Sequence, residues 1–171
     1  MELNVATELK LAGRVSHASL AEEFPVTELN GRSIVLTEPV RVDLDYSFDG
    51  EGFTLKGRLS SAVRMNCTKC NEEFIEPFSV DFSERFLRIS EQEAEELECY
   101  TYTGETLVLD KMVFDLILLN APMYGLCRPG CKGLCPVCGA NLNNTQCSCS
   151  EADESNPFAA LLGLKELLND D

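Results

Sequence analysis

Residues 40–70 read VRVDLDYSFDGEGFTLKGRLSSAVRMNCTKC, and this stretch decides the fold class. Over 40–48 apolar and polar side chains alternate, which is typical of a half-buried strand. The sequence Asp-Gly-Glu-Gly at 49–52 predicts a turn, and a second strand follows it over 53–66. The apolar side chains of that strand share one face: Phe53, Leu55, Leu59, Val63 and Met65. We therefore predict an antiparallel hairpin that leads directly into a pair of cysteines.

A third strand is predicted over 74–88, where apolar residues again lie two apart. Its apolar face carries Phe74, Phe78, Val80, Phe82 and Phe86. Pro77 has no N–H group for a strand ladder, so we expect this strand at a sheet edge or with a bulge. The three strands together predict an antiparallel β-meander.

A helix is predicted over 111–120, with Asp110 as its cap and Pro122 beyond its end. Its broad apolar face should pack on the sheet, which gives an α+β fold. That face is formed by Met112, Val113, Leu116, Ile117 and Leu119. Near the start of the chain, apolar residues from Leu3 to Leu11 suggest a first strand, and residues 19–23 suggest a short helix.

The chain divides into an α+β core domain at 1–124, which carries the first cysteine pair, and a cysteine-rich tail at 125–171. The tail is too polar to form a core of its own, and we expect zinc knuckles to hold it. Asn156 and Pro157 predict a C-terminal helix. Its apolar residues are Phe158, Leu161, Leu162, Leu164, Leu167 and Leu168. The Glu-rich stretch at 90–98 is predicted to be a solvated helical turn or a flexible link.

The composition indicates a cytoplasmic protein that does not enter a membrane. No apolar run among the 171 residues approaches the roughly 18 that a spanning helix needs. The opening sequence MELNVATELK lacks the basic and apolar regions of a signal peptide. Cysteines stay reduced in the cytoplasm, so nine of them favour metal binding or redox chemistry over disulfides.

Eight of the cysteines have the spacing of zinc ligands, the number that two four-thiolate sites require. They are Cys67, Cys70, Cys127, Cys131, Cys135, Cys138, Cys147 and Cys149. Two of the pairs have the form C-x-x-C, which places two thiolates side by side and points backbone N–H groups at them. Gly139 suits the positive backbone angle that follows the second ligand of such a turn. A thioredoxin-like redox pair and an iron–sulfur cluster are the rival interpretations of these cysteines.

The sequence leaves two groupings of these ligands open. In the first, Cys67 and Cys70 join Cys127 and Cys131, and the last four cysteines form a local site. In the second, the two C-x-x-C pairs share one ion and the remaining four share the other. We favour the first grouping, because a local loop costs less closure entropy.

Other candidate sites are weak. Cys99 lies in an acidic stretch without a partner at ligand spacing, so we expect a small buried apolar residue or a spare ligand. His17 is the only histidine and is interpreted as a surface or packing residue. The sequence contains no glycine-rich phosphate loop, no Gly-x-Ser-x-Gly and no acidic pair in a catalytic context. We therefore predict that the protein is not an enzyme.

Four motifs of the sequence occur together: the Cys67-Thr-Lys-Cys70 turn between two strands, Leu126-Cys127, the sequence CKGLCPVCGANLN at 131–143, and Asn156-Pro-Phe158 with Leu161 and Leu164. They resemble the motifs of the YceD family, whose members are called large ribosomal RNA subunit accumulation proteins. The resemblance runs from about residue 30 to the C-terminus. It implies a role in large-subunit assembly and 23S rRNA accumulation, and it implies that the cysteines other than Cys99 are metal ligands. It implies no catalytic residues.

The charge suggests how such a protein acts. A net charge of −15 makes charge-driven binding to naked RNA weak or indirect. The charge either serves solubility alone or suits a basic partner, such as a ribosomal protein or a large-subunit precursor. Within the Glu-rich stretch, Glu95, Glu96 and Glu98 are the candidate contact. A basic row on one strand face (Lys56, Arg58 and Arg64) is either a local RNA contact or a solvated sheet face. The alternatives to a binding factor are a cysteine-based redox or metal-responsive protein and an RNA-processing enzyme.

Overall fold

The computed structural model describes residues 1–24, 27–29 and 32–149 of the chain. The C-terminal helix predicted from Asn156 lies outside the described residues. None of the helices in the described ranges is long and apolar enough to cross a membrane.

The described residues form an α+β fold of nine strands and two helices. The strands are β1 (Glu2–Asn4), β2 (Val15–Glu22), β3 (Thr27–Leu29), β4 (Arg32–Leu36), β5 (Val40–Phe48), β6 (Gly52–Asn66), β7 (Glu73–Leu87), β8 (Tyr100–Thr101) and β9 (Thr106–Val108). The helices are α1 (Glu91–Glu96) and α2 (Asp110–Asn120), and a single 3-10 turn covers Glu8–Lys10.

The predicted meander is the centre of the main sheet. Strands β5, β6 and β7 are consecutive antiparallel neighbours. Strand β2 pairs with the outer side of β5, and β4 pairs with β6 beyond the end of β5. Strand β8 joins the end of β7 in parallel, while β1 and β9 form a separate two-stranded sheet. The long β6–β7 hairpin therefore projects past β5 and carries its turn away from the main core.

Pro77 lies within β7 and does not disturb the ladder between β7 and β6. It stands opposite Ala62, and the one-to-one register continues on both sides of it. Among the described residues β7 has β8 as its other neighbour only at Phe86 and Leu87, so most of its outer edge has no strand beside it. A proline is tolerated in such an edge strand. The predicted alternative, a bulge at Pro77, is not present in the β6–β7 register.

The core lies between the sheet and α2, because both elements present the apolar face that their sequence periods predict. Its largest fully buried side chains include Phe53, Phe86, Leu44, Leu55, Leu59, Leu107, Leu109 and Met112. On α2 four of the five predicted apolar positions are buried, but Leu119 is 82% exposed and its assignment to the core is wrong. Asp110 is the first helical residue rather than a cap, and its carboxylate contacts the Met1 α-amino group.

The predictions for the first 24 residues are wrong in part. The predicted helix at 19–23 is absent, because these residues continue or follow β2, which hydrogen bonds along β5 over its whole length. Alternate residues of β2 are partly buried, so tertiary pairing with β5 overrides the weak local pattern. The predicted first strand stops at Asn4, a 3-10 turn begins at Glu8, and Leu11 is 47% exposed.

Candidate metal centres

The first cysteine pair forms the turn between β6 and β7. The Cys67 N–H donates to the Glu72 carbonyl at 2.9 Å, and the Asn71 N–H donates back to the Cys67 carbonyl at 2.9 Å. Asn71 follows the second cysteine with φ of 58°, a left-handed conformation that asparagine adopts more readily than most residues. This closed turn directs both thiols to the inner side of the hairpin tip, where Cys67 and Cys70 are buried.

The second pair forms a turn with the same hydrogen bonds. The Cys135 N–H donates to the Ala140 carbonyl at 2.8 Å, and the Gly139 N–H donates to the Cys135 carbonyl at 2.9 Å. Gly139 has φ of 72°, which confirms the positive angle predicted for this glycine. The two C-x-x-C segments are therefore the same knuckle, built once on a hairpin and once in a loop.

The first group of sulfurs joins the hairpin tip to the tail. Cys67, Cys70, Cys127 and Cys131 have sulfur atoms that all lie within 4.8 Å of one another. The Cys67 Sγ is 3.7 Å from the Cys131 Sγ, and the Cys70 Sγ is 3.6 Å from the Cys127 Sγ. Four sulfurs at the usual zinc–sulfur distance of about 2.3 Å from a tetrahedral ion lie about 3.8 Å apart. The donor set and the spacing of this first tetrad therefore fit a zinc ion.

The second group of sulfurs is local to the tail. Cys135, Cys138, Cys147 and Cys149 also have sulfur atoms within 4.8 Å of one another. Cys135 is buried, whereas Cys138 and Cys149 are exposed. The structure thus brings the cysteines together in the first of the two groupings that the sequence left open. We call these four residues the second tetrad.

The pKa values of the thiols in the first tetrad are shifted in opposite directions by backbone N–H groups, burial and neighbouring thiols. The Cys127 N–H group, with further donors in the turn, lowers the pKa of Cys67 to about 6. The Asn143 side-chain amide lowers the pKa of Cys131. Burial, followed by the nearby thiol of Cys70, raises the pKa of Cys127 to about 12. Without a cation, therefore, ionising one thiol opposes ionisation of its neighbour.

In the second tetrad, too, the pKa of one thiol is lowered and that of another is raised. The N–H groups of Cys138 and Val137 lower the pKa of Cys135 to about 6. The neighbouring Cys138 thiol and then burial raise the pKa of Cys149 to about 12. A divalent cation removes this conflict, because it stabilises all four thiolates at once. Both tetrads therefore have the chemistry of a cation site.

A polar network that sequence analysis missed links the loop of the second tetrad to the first tetrad. The Asn143 Nδ2 donates to the Cys131 Sγ at 3.3 Å, although Asn143 lies between ligands of the second tetrad in sequence. It also donates to the Asn141 Oδ1 at 2.9 Å, and the Asn141 Nδ2 donates to the Glu72 Oε1 at 2.9 Å. The Asn144 amide reaches the same Glu72 oxygen at 3.2 Å. The motif CGANLN at 138–143 contained Asn141 and Asn143, but only the fold shows that Asn143 contacts the sulfur of Cys131.

The remaining candidates lie away from both tetrads. Glu95, Glu96 and Glu98 are exposed at the end of α1, whose capping box is formed by Ser90 and Glu93. This confirms the helical alternative for the Glu-rich stretch. Cys99 is half-buried rather than fully buried, and it belongs to neither group of sulfurs. His17 is exposed, with its Nδ1 3.0 Å from the Asp45 Oδ1.

The basic row on β6 is mixed with acidic residues of its neighbouring strands. The Arg58 Nε and Nη2 contact the two carboxylate oxygens of Asp81 at 2.7 Å and 3.0 Å. Lys56 stands opposite Asp45, and Arg58 stands opposite Asp43 on the other side. This arrangement favours a solvated sheet face around Lys56 and Arg58, whereas Arg64 lies further along, near the hairpin tip.

Comparison with known proteins finds one matching family model and several relatives. The family model described as Large ribosomal RNA subunit accumulation protein YceD matches residues 55–165. The Arabidopsis thaliana protein named Large ribosomal RNA subunit accumulation protein YCED homolog 1, chloroplastic, is 23% identical over 160 residues, which cover 75% of this chain and 49% of that protein.

Two further relatives support the match. An uncharacterized protein of Mycobacterium tuberculosis is 28% identical over 114 residues, which cover 64% of this chain and 55% of that protein. The Zea mays protein with the same chloroplastic name is 48% identical over 42 residues, 24% of this chain and 14% of that protein. The chain thus spans about half the length of the Arabidopsis and mycobacterial relatives. No solved structure matches it significantly.

Proposed function

Because the chain belongs to the YceD family, we propose that it is a non-enzymatic, zinc-stabilised factor in large ribosomal subunit assembly and 23S rRNA accumulation. The family match supports a role in large-subunit assembly and rRNA accumulation. The two four-sulfur tetrads support the manner of action, because they are closed, rigid elements of the kind that hold a binding surface in shape. The proposed protein acts by binding a ribosomal partner rather than by chemistry.

Zinc is the cation that we propose for both tetrads, one ion in each. Cys67, Cys70, Cys127 and Cys131 would hold the first ion, and Cys135, Cys138, Cys147 and Cys149 the second. Bound zinc contributes folding free energy directly. Four sulfur ligands leave no open position for water or substrate, which is the pattern of a structural site rather than a catalytic one.

The proposed protein has the two units expected from the sequence, a core at 1–124 and a zinc-knuckle tail at 125–171, and the first ion would join them. The Thr68 N–H and hydroxyl both donate to the Gly125 carbonyl, at 3.0 Å and 3.1 Å, so the tail starts beside the hairpin tip. The Leu134 N–H donates to the Lys69 carbonyl at 3.0 Å. These contacts support a tail held in one orientation. Reduced thiols at both sites favour the cytoplasm as its location.

The partner that we propose is a basic ribosomal protein of the large subunit, alone or in a precursor particle. The net charge of −15 favours encounter with a basic surface. Glu95, Glu96 and Glu98 are a compact, exposed source of this charge, and no ion pair in the described part of the chain engages them.

The process is tested by affinity purification of the tagged chain from cells that express it. We expect large-subunit rRNA and its precursors to be enriched over small-subunit rRNA, and the matched control is a tagged acidic protein of similar size and charge. Equal recovery of the two rRNAs, or equal recovery with the control, contradicts the proposed function.

The acidic contact is tested by changing Glu95, Glu96 and Glu98 together to Gln. Association with the ribosomal partner should weaken and become less dependent on salt, while zinc content and the melting temperature stay unchanged. The matched control changes Glu2, Glu51 and Glu105 to Gln, which removes the same charge from exposed sites elsewhere. If both triple variants bind the partner as the parent chain does, the Glu-rich stretch is only a solvated face.

A redox or metal-responsive protein is the second candidate, and the exposure of the second tetrad is the observation that favours it. Cys138 and Cys149 are open to oxidants and competing metals. This alternative predicts that mild peroxide releases zinc and changes partner binding reversibly. A partner affinity that is the same before and after oxidation excludes it.

A further inference from the structure

Acidic residues are unevenly distributed along this acidic chain. Residues 60–71 and 116–149 contain no Asp or Glu. They do contain four cations, Arg64, Lys69, Arg128 and Lys132. These two segments meet in space, because the first tetrad joins the hairpin tip to the tail. The fold therefore brings the acid-free parts of the sequence together at one end of the molecule, where Glu72 of the hairpin turn is also located, and we call it the knuckle end.

A groove of about 580 Å³ runs along the knuckle end. Arg64 and Lys69 line it, together with the side chains of Tyr124 and Leu134. Tyr124 is 77% exposed, and Leu134 is 42% exposed. Asn66 and Asn71 add polar groups to the lining. The groove thus combines two cations with an accessible aromatic ring.

The aromatic ring is positioned by the knuckle. The carbonyl of Gly125, the residue after Tyr124, accepts hydrogen bonds from both the N–H and the hydroxyl of Thr68. Gly125 also lies so close to β7 that an added Cβ atom would be 3.0 Å from the Phe74 ring. The backbone at Tyr124 is therefore fixed against the hairpin while its side chain faces solvent.

We propose that this groove binds single-stranded RNA, with Tyr124 stacking on a base and Arg64 and Lys69 contacting phosphates. The proposal rests on the proposed function and names the part of the ribosomal precursor that this end of the molecule contacts. An aromatic platform with flanking cations is the usual design for single-stranded nucleic acid. A protein groove of this size holds one or two nucleotides of a single strand. A protein that recognises duplex RNA instead contacts the wide, shallow minor groove of the RNA over many base pairs.

The overall negative charge does not prevent local binding of RNA. At physiological ionic strength charges are screened over about 8 Å, so a phosphate in the groove is affected mainly by the knuckle end. Two zinc–thiolate sites would each add a formal charge of −2 and reduce the attraction. We therefore expect weak, salt-sensitive binding, in the range of about 10⁻⁴ to 10⁻⁶ M that is typical of non-specific contacts.

The test measures fluorescence anisotropy of a labelled, unstructured RNA oligonucleotide with the full, zinc-loaded chain at two salt concentrations. Tyr124→Ala should weaken binding roughly five- to 150-fold, the range for loss of one stacked base, while Tyr124→Phe keeps most of the affinity. The double change Arg64→Gln and Lys69→Gln should lower the slope of log affinity against log salt by about 0.7 for each phosphate that the variant no longer neutralises.

The matched control is Arg41→Gln with Lys56→Gln, which removes the same charge from the exposed sheet face. It should leave RNA binding nearly unchanged. The proposal is overturned if the control weakens binding as much as the groove variants do, or if Tyr124→Ala binds RNA like the parent chain. It is also overturned if the groove variants no longer bind a ribosomal protein but still bind RNA.

Co-purification with large-subunit precursors separates this proposal from the proposed function. If the parent chain co-purifies but the groove variants bind RNA normally, only the groove proposal fails. If the parent chain does not co-purify with precursors, the proposed function fails whatever the groove binds in solution.

Discussion

Cys67 and Cys135 each begin a turn with the same pair of backbone hydrogen bonds, yet the two turns are supported very differently. The first turn closes the hairpin of β6 and β7, each 15 residues long. Its tetrad has three ligands that are at most 4% exposed, and Phe74 packs against them. The second turn lies in a loop, and only Cys135 of its tetrad is buried.

The difference indicates that identical metal chemistry can serve two structural purposes. The first tetrad connects segments that are 57 residues apart at Cys70 and Cys127, so a cation there would join the sheet to the tail. The second closes a loop of neighbouring residues and would shape the tail alone. Removal of the first site should therefore disturb more of the molecule than removal of the second.

The largest effect is expected from Cys67→Ser. The variant should release one zinc ion and detach the tail from the hairpin, because structural zinc contributes on the order of 10 kcal/mol to folding. Cys138→Ser should also release one zinc ion but leave the melting of the sheet nearly unchanged. Elemental analysis and circular dichroism melts compare the two, and equal destabilisation by both variants would contradict the division of roles.

Metal removal should occur in two separable phases. A chelator reaches the exposed thiols of Cys138 and Cys149 directly, whereas the first tetrad requires local opening of the hairpin tip. We expect one zinc ion to leave quickly and the second slowly, as followed with a colorimetric zinc indicator. A single phase that releases both ions would show that the two sites open together.

Asn143→Ala should weaken the first tetrad even though Asn143 lies among the ligands of the second in sequence. It removes the amide that donates to the Cys131 sulfur, and removal of such a partner typically lowers metal affinity about 10- to 100-fold. Competition with a zinc chelator measures the change. Asn144→Ala is the control, since the Asn144 amide contacts Glu72 and no sulfur; equal decreases in affinity would indicate a general loosening of the tail.

Two glycines with positive φ should differ in their tolerance of alanine. A Cβ atom added at Gly139 would meet open space. The only cost of Gly139→Ala in folding free energy is therefore that of holding alanine in the left-handed conformation, about 1–2 kcal/mol. In Gly133→Ala the new Cβ would lie 3.1 Å from the Lys69 carbonyl oxygen, which already accepts a hydrogen bond from Leu134. Thermal melts should show the larger destabilisation for Gly133→Ala, and the reverse order would place the tail further from the hairpin.

The smallest effect is expected from Cys99→Ser. Cys99 is half-buried and belongs to neither tetrad, so the change should cost less than about 1 kcal/mol. Zinc content should stay at that of the parent chain. A decrease in the zinc content of this variant, with none in Cys67→Ser, would show that the ligands have been assigned to the wrong residues.

The sequence by itself determined the features that depend on short-range pattern. Alternating side chains predicted the β5–β6–β7 meander, because a strand turns successive residues to opposite faces. The C-x-x-C spacing and Gly139 predicted the knuckle turns, whose hydrogen bonds close within a few residues. Pro77 predicted an edge strand or a bulge, because a residue without an N–H group limits pairing wherever the strand lies.

Only the tertiary structure decided how distant segments meet. Residues 19–23 carry no strong pattern, and those within β2 are extended because β5 pairs with them. Leu119 fits the apolar face of α2 by spacing, but no element covers it in the described residues. The pairing of Cys67 with Cys131 and the reach of Asn143 to that sulfur depend on where the hairpin tip lies against the tail. Such contacts arise from closing long loops, which local sequence does not specify.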